Sequence, residues 1–352
     1  MTTLLTDDVD RAADLLRAGG LVALPTETVY GLGADAANRA AVLRVYEVKG
    51  RPADHPLIVH LAQAGHVERW AVDIPDYARS LMQRWWPGPL TLVLPRSPSV
   101  GDWVTAGQPT IALRVPSHPV AQQVLQRFGG GVAAPSANRF GRVSPTRAAH
   151  VLAELGGRLE PGRDAVLDGG SASIGLESTI VDCTGPTPRV LRPGAISAQE
   201  IADATSHLDR DSENEAAQDS DSENETRSGV AAPAAPRVPG TLAAHYAPTA
   251  LVRVFDSVDE LPGSPSSPQV GFLATADVPP PANAVRLATP ETVGDYAADL
   301  YQALRRADDL HLREVWVLPP SPGADASEDG LLIAIRDRLA RAATGSRRVD
   351  QP

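Results

Sequence analysis

The side chains best suited to chemistry in this sequence are hydroxyl groups and cations that stand in turns or at the ends of predicted strands. Among them is Lys49, the only lysine in a chain with 32 lysine and arginine residues, close to Arg51. A compact ammonium next to a planar guanidinium suits the oxygens of a phosphate group. The remaining members of this polar set are Thr26, Thr28, His60, Thr110, Arg114, Ser136, Asn138, Ser144, Ser178 and Arg192.

Each member of the polar set also has an interpretation without function. Serine and threonine cap helices, His60 fits a buried and hydrogen-bonded histidine, and a lone lysine or a strand arginine is commonly a surface charge. Taken together, the set provides hydroxyl donors and cations but no evident pair of nucleophile and base. This combination predicts binding of phosphate and carboxylate groups, with catalysis by positioning and charge stabilisation.

The motifs that the sequence lacks argue against several other kinds of site. It contains no G-x-x-x-x-G-K-[ST] phosphate loop and no G-x-S-x-G nucleophile elbow. Gly31, Gly33 and Ala36 match a loosened dinucleotide fingerprint, but the preceding strand ends too early, at Pro25. Cys183 is the only cysteine, and the histidines and acids show no metal-ligand spacing. We therefore expect no metal site of the protein's own, and a metal only together with a nucleotide substrate.

Two predicted strands and the helix between them position the first part of the polar set. Residues 21–24 and 57–61 are apolar runs that predict buried strands, and the second run includes the histidine of the set. Asn38 is a suitable N-cap for the helix between them, which Gly50 ends. A polar turn, residues 26–28, follows the first strand, and the glycines of residues 30–33 would let the backbone approach a ligand closely.

The alternation of short strands and helices predicts an α/β fold with two units. Residues 1–204 would form a twisted mixed sheet with helices, in which residues 62–70 are helical and Ser144 caps a helix that begins at Pro145. Residues 248–345 alternate strands and helices in the order of a smaller, Rossmann-like parallel sheet, without a phosphate loop.

The segment between the two units, residues 205–247, differs in composition from the rest. DSENE occurs twice in it, at 211–215 and 221–225, and a stretch rich in alanine and proline follows. Such a segment cannot bury enough apolar surface to offset its ordering entropy. We therefore predict an acidic, disordered linker that ends in the segment HYAP, residues 245–248.

Charge and hydropathy limit the partners. The formal net charge of −11 argues against a protein that bulk charge holds on nucleic acid. No apolar run of about 18 residues occurs, and the first residues do not read as a signal peptide. We expect a cytoplasmic protein without a membrane partner.

Nine short segments, in order along the chain, resemble the YrdC/Sua5 family. They are PTETVYGLG (25–33), KGRP (49–52), PLIVH (56–60), WPGPLT (86–91), TIALRVP (110–116), APSAN (134–138), SPT (144–146), ESTIVD (177–182) and LRPG (191–194). The segment HYAP, followed by an α/β unit, is similar to the longer branch of the family, which carries a C-terminal Sua5 domain. The resemblance spans the chain except for the acidic linker and implies a YrdC-like catalytic domain followed by a Sua5 domain.

Membership of this family implies the activity of an L-threonylcarbamoyladenylate synthase, a nucleotidyltransferase. Its substrates are L-threonine, bicarbonate and ATP, with Mg²⁺ brought by ATP, and its products are threonylcarbamoyl-AMP and pyrophosphate. The adenylate serves the N6-threonylcarbamoylation of adenosine 37 in tRNA. A hand-off of the product to the tRNA threonylcarbamoyl transferase and a weak contact with tRNA are the implied partnerships.

The same resemblance implies roles for residues at the family's motif positions. Lys49 and Arg51 would hold the ATP phosphates and act as the catalytic cations. The other nucleotide contacts would be His55, Thr110, Ser136, Ser144, Arg192 and Tyr246. Threonine would be surrounded by Thr26, His60, Arg114, Ser178 and the backbone at Ala134, with the guanidinium on its carboxylate.

One position departs from the family pattern, and the sequence does not identify a general base. The pattern KGRPxxNP reads KGRPADHP here, which puts His55 where asparagine is usual. An imidazole replaces one amide hydrogen bond but adds a titration near neutral pH. No residue stands out as a general base for the threonine amine. His60 is a candidate, whereas a carbamate that forms spontaneously would need no base.

Two functions of other classes remain open from the sequence. An RNA-binding module is one, against which the acidic balance and the lack of an aromatic and basic stripe count. An accessory domain for carbamoyl transfer is the other, as in hydrogenase-maturation proteins that contain a YrdC-like unit. Those proteins carry further acylphosphatase and zinc-finger modules, whereas this chain has a single cysteine.

Overall fold

The computed structural model, which describes residues 3–206, 235–265, 269–321 and 328–346, contains two sheets. The strands of the first are β1 (Leu5–Thr6), β2 (Val22–Leu24), β3 (Gly31–Asp35), β4 (Ile58–His60), β5 (Leu90–Pro95), β6 (Thr110–Arg114), β7 (Val132–Ala133), β8 (Ala165–Leu167), β9 (Thr179–Asp182) and β10 (Arg189–Arg192). They lie in the order β1-β8-β2-β3-β7-β4-β6-β5-β9-β10. Because β4 and β6 are parallel whereas β6 and β5 are antiparallel, the sheet is mixed, as the sequence predicts.

Helices cover both faces of this sheet. They are α1 (Val9–Arg17), α2 (Arg39–Lys49), α3 (Asp76–Trp85), α4 (Pro119–Phe128), α5 (Ala148–Leu155) and α6 (198–206). The alternation of side chains along β2 shows the two layers, since Val22 packs in the cluster of α1 and α4 whereas Ala23 packs in that of α2 and α5. Asn38 Oδ1 caps α2 by accepting from Ala41 N, and Gly50 ends it with a φ of 63°. Lys49 is thereby fixed as the last residue of that helix.

The second sheet is parallel and smaller. Its strands are β11 (Leu251–Val254), β12 (Val270–Leu273), β13 (Val285–Arg286) and β14 (Glu314–Val317), in the order β11-β14-β12-β13. Its helices are α7 (Val293–Asp309) and α8 (Asp329–Ser346). Thr292 and Asp295 form a capping box at the start of α7. The α/β fold class, with a second, Rossmann-like unit, is confirmed, although the short strand β13 was not expected.

Helices α7 and α8 pack directly against the first unit. Arg305 of α7 pairs with Glu154 of α5 at 3.1 Å, and Asp308 pairs with Arg142 at 3.0 Å. Gly175 lies so close to α7 that a Cβ there would stand 2.6 Å from Ala298 Cα. The interface therefore needs glycine at residue 175, where the φ of 77° also disfavours other residues.

Gly31 and Gly33 lie in β3, and a Cβ on Gly33 would come within 2.8 Å of Val132 Cγ1, so close packing of neighbouring strands needs glycine at residue 33. Gly31 also lines the cavity described below. Two local expectations are wrong. Residues 62–70 hold only a short 3₁₀ helix, Ala64–Arg69. Ser144 is not a helix cap, since α5 begins later, at Ala148, and the Ser144 hydroxyl donates to Glu177 instead.

The predicted linker falls largely outside the described residues, which omit 207–234. Its disorder and the bounds 1–204, 205–247 and 248–345 stay predictions. Within the described part of the chain, no helix combines the length and the apolar character that a membrane span requires.

Candidate active site

A cavity of about 550 Å³, mouth included, lies in the first unit where strand ends meet residues 239–246. Side chains reach it from the turn after β2, from β4 and β6, from the start of β9 and from the end of β10. Most are polar or cationic, although the strands that carry them are apolar. The short strands thus place polar residues at one common edge of an apolar core.

The end of β6 places Arg114 in the cavity wall beside the buried Glu27. Arg114 Nη2 lies 2.7 Å from Glu27 Oε1, while Nη1 donates to Thr28 Oγ1 at 2.8 Å and Nε donates to the carbonyl of Gly88 at 3.2 Å. The ion pair with Glu27 and the bonds to Thr28 and Gly88 together fix the orientation of the guanidinium. Burial opposes ionisation of Glu27, but the Arg114 charge holds the pKa of Glu27 below its usual value. Arg114 therefore presents to the cavity a guanidinium that Glu27, Thr28 and Gly88 hold in a fixed orientation.

His60 lies beside Arg114, because β4 and β6 pair these two residues in register. Its ring is 6% exposed, and Nδ1 has no hydrogen-bond partner. Burial, with the nearby Arg114 charge, lowers the pKa of His60 to about 3. At neutral pH the imidazole is therefore uncharged, and it keeps one ring nitrogen available to a ligand.

Arg51 lines another edge of the cavity, and Lys49 lies behind Ser136 at the same edge. The ammonium of Lys49 donates to the carbonyls of Ser136 at 2.5 Å and of Asn138 at 2.6 Å, and burial with the Arg51 charge puts the pKa of Lys49 well below its usual value. Arg51 Nη2 donates to the Pro56 carbonyl at 3.1 Å, while Nε has no partner. Burial lowers the pKa of Arg51 to about 10, so this guanidinium stays charged at neutral pH.

Arg192, at the end of β10, joins the first unit to residues 239–246, which lie at the end of the predicted linker. Its Nε and Nη2 donate to the Ser178 carbonyl at 3.1 and 2.9 Å, and Nη1 donates to the Pro239 carbonyl at 2.9 Å. Ser178 Oγ in turn is 2.7 Å from Thr91 Oγ1. These bonds hold a third guanidinium in a fixed orientation at the cavity.

Tyr246 closes the cavity on the side of the linker. Its backbone has a φ of 60°, a left-handed conformation that is uncommon outside glycine. The ring stacks on Tyr301 of α7 with a centroid distance of 5.6 Å and meets the ring of His245 edge-on at 4.1 Å. Its hydroxyl lies so near Gly240 that a Cβ there would come within 2.3 Å. Tyr246 is thus held on all sides by the second unit and by its own segment.

Glu177, immediately before β9, lines the cavity as its one acidic side chain among the described residues. Its Oε1 accepts from Ser144 Oγ at 2.6 Å, and Oε2 accepts from Tyr301 Oη at 2.9 Å and from Arg338 Nε at 2.8 Å. Burial would raise the pKa of Glu177, but the charges of Arg338 and Arg192 lower it to about 2. A carboxylate at the cavity is therefore ionised and bonded to both units.

The structure brings most of the predicted site residues together. Nine of them line the cavity: Thr26, Arg51, His60, Arg114, Ala134, Ser136, Ser178, Arg192 and Tyr246. Four do not. Lys49 stands behind Ser136, and Ser144 stands behind Glu177. Thr110 lines a separate groove with Arg189 at the far end of β6, and the His55 ring packs 5.5 Å from that of Phe140. The roles of all thirteen stay predictions.

Sequence reasoning missed four residues of the site. Glu27 and Glu177 lie inside motifs that were recognised, but their carboxylates were given no role. Tyr301 and Arg338 lie in the second unit, far along the chain from their partners. One signal was available for Arg338, since it interrupts the apolar stripe of α8 next to Leu339, where a charge must be paired.

The arrangement suits charge neutralisation. Three fixed guanidiniums and a nearby ammonium surround a small space, and no serine or cysteine in it stands beside a basic imidazole. Among the described residues, no group of three or more His, Cys, Asp or Glu side chains is arranged to hold a metal ion. The site can bind an anionic ligand and stabilise negative charge that develops on it.

Fold and site together define a two-unit α/β protein whose larger unit encloses a cationic cavity and whose smaller unit packs against that cavity's closing segment. Residues 14–194 match the Sua5/YciO/YrdC family, described as telomere recombination, and residues 196–344 match the family described as threonylcarbamoyl-AMP synthase, C-terminal domain. The chain belongs to the YrdC/Sua5 family, in its long branch, as its motifs predict.

Some relatives resemble the chain over nearly its whole length and others over about half of it. The threonylcarbamoyl-AMP synthase of Bacillus subtilis is 38% identical, over 97% of this chain and 95% of that protein. The synthase of Pyrococcus abyssi is 48% identical, over 54% of this chain and 55% of that protein. The solved structure of P. abyssi Sua5 complexed with L-threonine has a TM-score of 0.77 at 34% identity, and covers 96% of this chain and 94% of that one.

Proposed function

We propose that this chain is an L-threonylcarbamoyladenylate synthase (EC 2.7.7.87). L-Threonine and bicarbonate condense to a carbamate with loss of water. A carbamate oxygen then attacks the α-phosphorus of ATP, which gives threonylcarbamoyl-AMP and pyrophosphate. The observation that carries the proposal is the convergence of Arg51, Arg114 and Arg192 on one cavity in a chain that belongs to this family.

The threonine part of the site is proposed to lie against Arg114 and His60. The guanidinium of Arg114 lines the cavity in a fixed orientation and is proposed to pair with the substrate carboxylate. Ser178 and Thr26 contribute hydroxyls, and the backbone at Ala134 completes the wall. The co-structure of P. abyssi Sua5 with L-threonine supports this substrate.

The nucleotide part is proposed to lie between Arg51, Arg192, Ser136 and Tyr246, with Lys49 adding charge from behind Ser136. These cations would stabilise the charge that builds up as pyrophosphate leaves, which is the usual contribution of protein groups to phosphoryl and nucleotidyl transfer. His55, Thr110 and Ser144 are proposed as outer contacts that a bound nucleotide reaches only by a local rearrangement.

A neutral His60 fits a hydrogen-bonding role better than a general base role. With a pKa of about 3, the ring holds a proton poorly and would be a weak base for the ammonium of threonine. We propose that His60 orients the amine and that the carbamate forms without a dedicated base. A His60→Ala variant that weakens threonine binding and the rate equally would fit this role.

We propose that Mg²⁺ enters with ATP and that no described side chain holds it beforehand. Glu177, the carboxylate that lines the cavity, is already bonded to Ser144, Tyr301 and Arg338. When bound, the ion would offset phosphate charge. The adenylate is proposed to pass to a tRNA threonylcarbamoyl transferase in the cytoplasm, for the modification of adenosine 37, with at most weak direct contact between this chain and tRNA.

The test is pyrophosphate release from ATP and bicarbonate by the purified protein, with and without L-threonine, and with L-alanine as the matched control. Release that depends on threonine, together with a product of the mass of threonylcarbamoyl-AMP, is the expected result. Release that is equal without threonine would support carbamoyl transfer to another acceptor. Absence of release, with tight and salt-sensitive tRNA binding, would support the RNA-binding module.

A further inference from the structure

One buried charge of the second unit reaches a side chain in the wall of the cavity. Arg338 of α8 has a side-chain exposure of 0%, and its Nε donates to Glu177 Oε2 at 2.8 Å. Its Nη2 donates to the Pro193 carbonyl at 3.0 Å and its Nη1 to Asp337 at 2.6 Å. All its nitrogens are therefore engaged, and two of them bind the first unit.

The same guanidinium also supports the closing segment. The Arg338 Cζ atom lies 5.4 Å from the centroid of the Tyr246 ring, in the range of a cation–π contact. Tyr301, which stacks on that ring, shares the carboxylate of Glu177 with Arg338. Arg338, Tyr301, Tyr246 and Glu177 thus form one buried cluster, here called the interdomain cluster.

The negative charge of Glu177 would affect the binding of a nucleotide in the cavity. An ionised carboxylate at the wall of a cavity repels phosphate groups unless a cation neutralises it. Arg192 is close, but its hydrogen bonds go to Ser178 and Pro239, not to Glu177. The cation bonded directly to the carboxylate is Arg338, which comes from the other unit.

We propose that Arg338 is a positioning residue for the nucleotide: it neutralises Glu177 at the cavity wall and fixes Tyr246 there. This rests on the proposed function, since it assigns ATP to the cavity. The second unit thereby has a specific task in catalysis. It supplies the charge without which the first unit's own carboxylate would oppose ATP.

The test compares Arg338→Gln, Glu177→Gln and the double variant by steady-state kinetics of pyrophosphate release. Arg338→Gln leaves Glu177 unpaired, so the KM for ATP should rise at least about tenfold while the KM for threonine changes less than about threefold. The double variant removes both charges and should recover most of that increase. A merely structural role would shift both KM values together and show no such recovery.

Two variants control for the fold of the second unit. Arg336→Gln alters the same helix at an exposed pair with Asp256, and it should change neither KM. Asp308→Asn weakens a different contact between the units, the pair with Arg142, without touching the interdomain cluster. If Asp308→Asn raised the KM for ATP as much as Arg338→Gln, loosening of the interface would explain the effect and the proposal would be wrong.

The outcome can be decided even if Arg338→Gln does not fold. The double variant contains no unpaired buried charge at this place, and the proposal requires its KM for ATP to stay within about tenfold of that of the unaltered protein. A double variant that folds, by circular dichroism, and still shows a tenfold higher KM for ATP contradicts the proposal. Loss of threonine-dependent release in the unaltered protein would instead contradict the proposed function.

Discussion

The two sheets of this protein bury polar groups to very different extents. Around the ten-stranded sheet, charged side chains such as Glu27, Lys49, Arg51 and Arg114 are buried together at the cavity. Among the described residues from 251 onward, the buried polar side chains other than tyrosines are only Arg338 and Ser346. The hydroxyl of Ser346 accepts from Val252 within the second unit, whereas Arg338 points into the first.

This difference shows how the two units divide their tasks. Burial of a charge costs several kcal/mol unless it is paired, so a group of buried charges persists where a ligand or a partner compensates them. The first unit has such a group, and the second has an apolar core like that of a packing module. The four predictions below test this division, each on one side of the comparison.

The largest effect is expected in the first unit, at Lys49. Lys49→Ala should lower kcat/KM at least about 100-fold, because it removes the amine that stands directly behind the proposed phosphate site. Lys49→Arg should rescue little, since the planar guanidinium does not fit between the two carbonyls that bind Nζ. A loss below tenfold in steady-state kinetics would remove Lys49 from the proposed phosphate site.

The next effect is expected at Arg114 and should separate the two substrates. Arg114→Lys keeps the charge but loses the fork that contacts Thr28, Gly88 and a carboxylate at once. The KM for threonine should rise about 10- to 100-fold, with the KM for ATP little changed. The exposed Arg189→Lys is the matched control. Equal increases in both KM values would contradict a specific role of Arg114 in binding the threonine carboxylate.

A third prediction concerns pH and the cluster between the units. The pKa of Glu177 is lowered from 4.5 to about 2, so its ionised form stabilises the fold above pH 4.5 and this stability is lost as the pH falls toward 2. The loss should be of the order of 3 kcal/mol. Urea unfolding of the unaltered protein should weaken across this window, and Glu177→Gln should flatten the dependence. Identical pH profiles would contradict it.

The smallest effect is expected in the second unit, at its surface. Arg253 and Glu314 form a pair at 3.5 Å with side chains 43% and 32% exposed. Because solvent screens such pairs, Arg253→Gln should change the free energy of unfolding by less than about 0.5 kcal/mol and leave turnover unaltered. A marked loss of activity would mean that the second sheet contributes to catalysis by a route other than Arg338.

Motifs in the sequence predicted the α/β class, the family and nine residues that do line the cavity. They succeeded because those residues lie in short segments whose local order is itself characteristic, such as APSAN and LRPG. Prediction from local sequence failed where a residue distant in the chain determines the role of a side chain. Ser144 has the position of a helix cap, but its hydroxyl donates to Glu177.

The pairs that join the units were beyond any local pattern. Glu177 and Arg338 are 161 positions apart, and nothing near either residue specifies the other. The buried arginine in the apolar stripe of α8 indicated that some carboxylate must face it, but only the packing of α7 and α8 on the first unit identifies which. Thr110 shows that a family motif also has limits. The motif predicts a nucleotide contact at Thr110, but the structure places this residue in a groove separate from the cavity.

The single lysine has a practical consequence for labelling chemistry. Reagents that acylate amines find one lysine side chain in this protein, and it is 3% exposed, with its nitrogen bonded to two carbonyls. In the folded protein such reagents should modify the amino terminus and spare Nζ. Mass-spectrometric measurement of acylation at Lys49 would therefore report how often unfolding, local or global, exposes the end of α2, without an engineered probe.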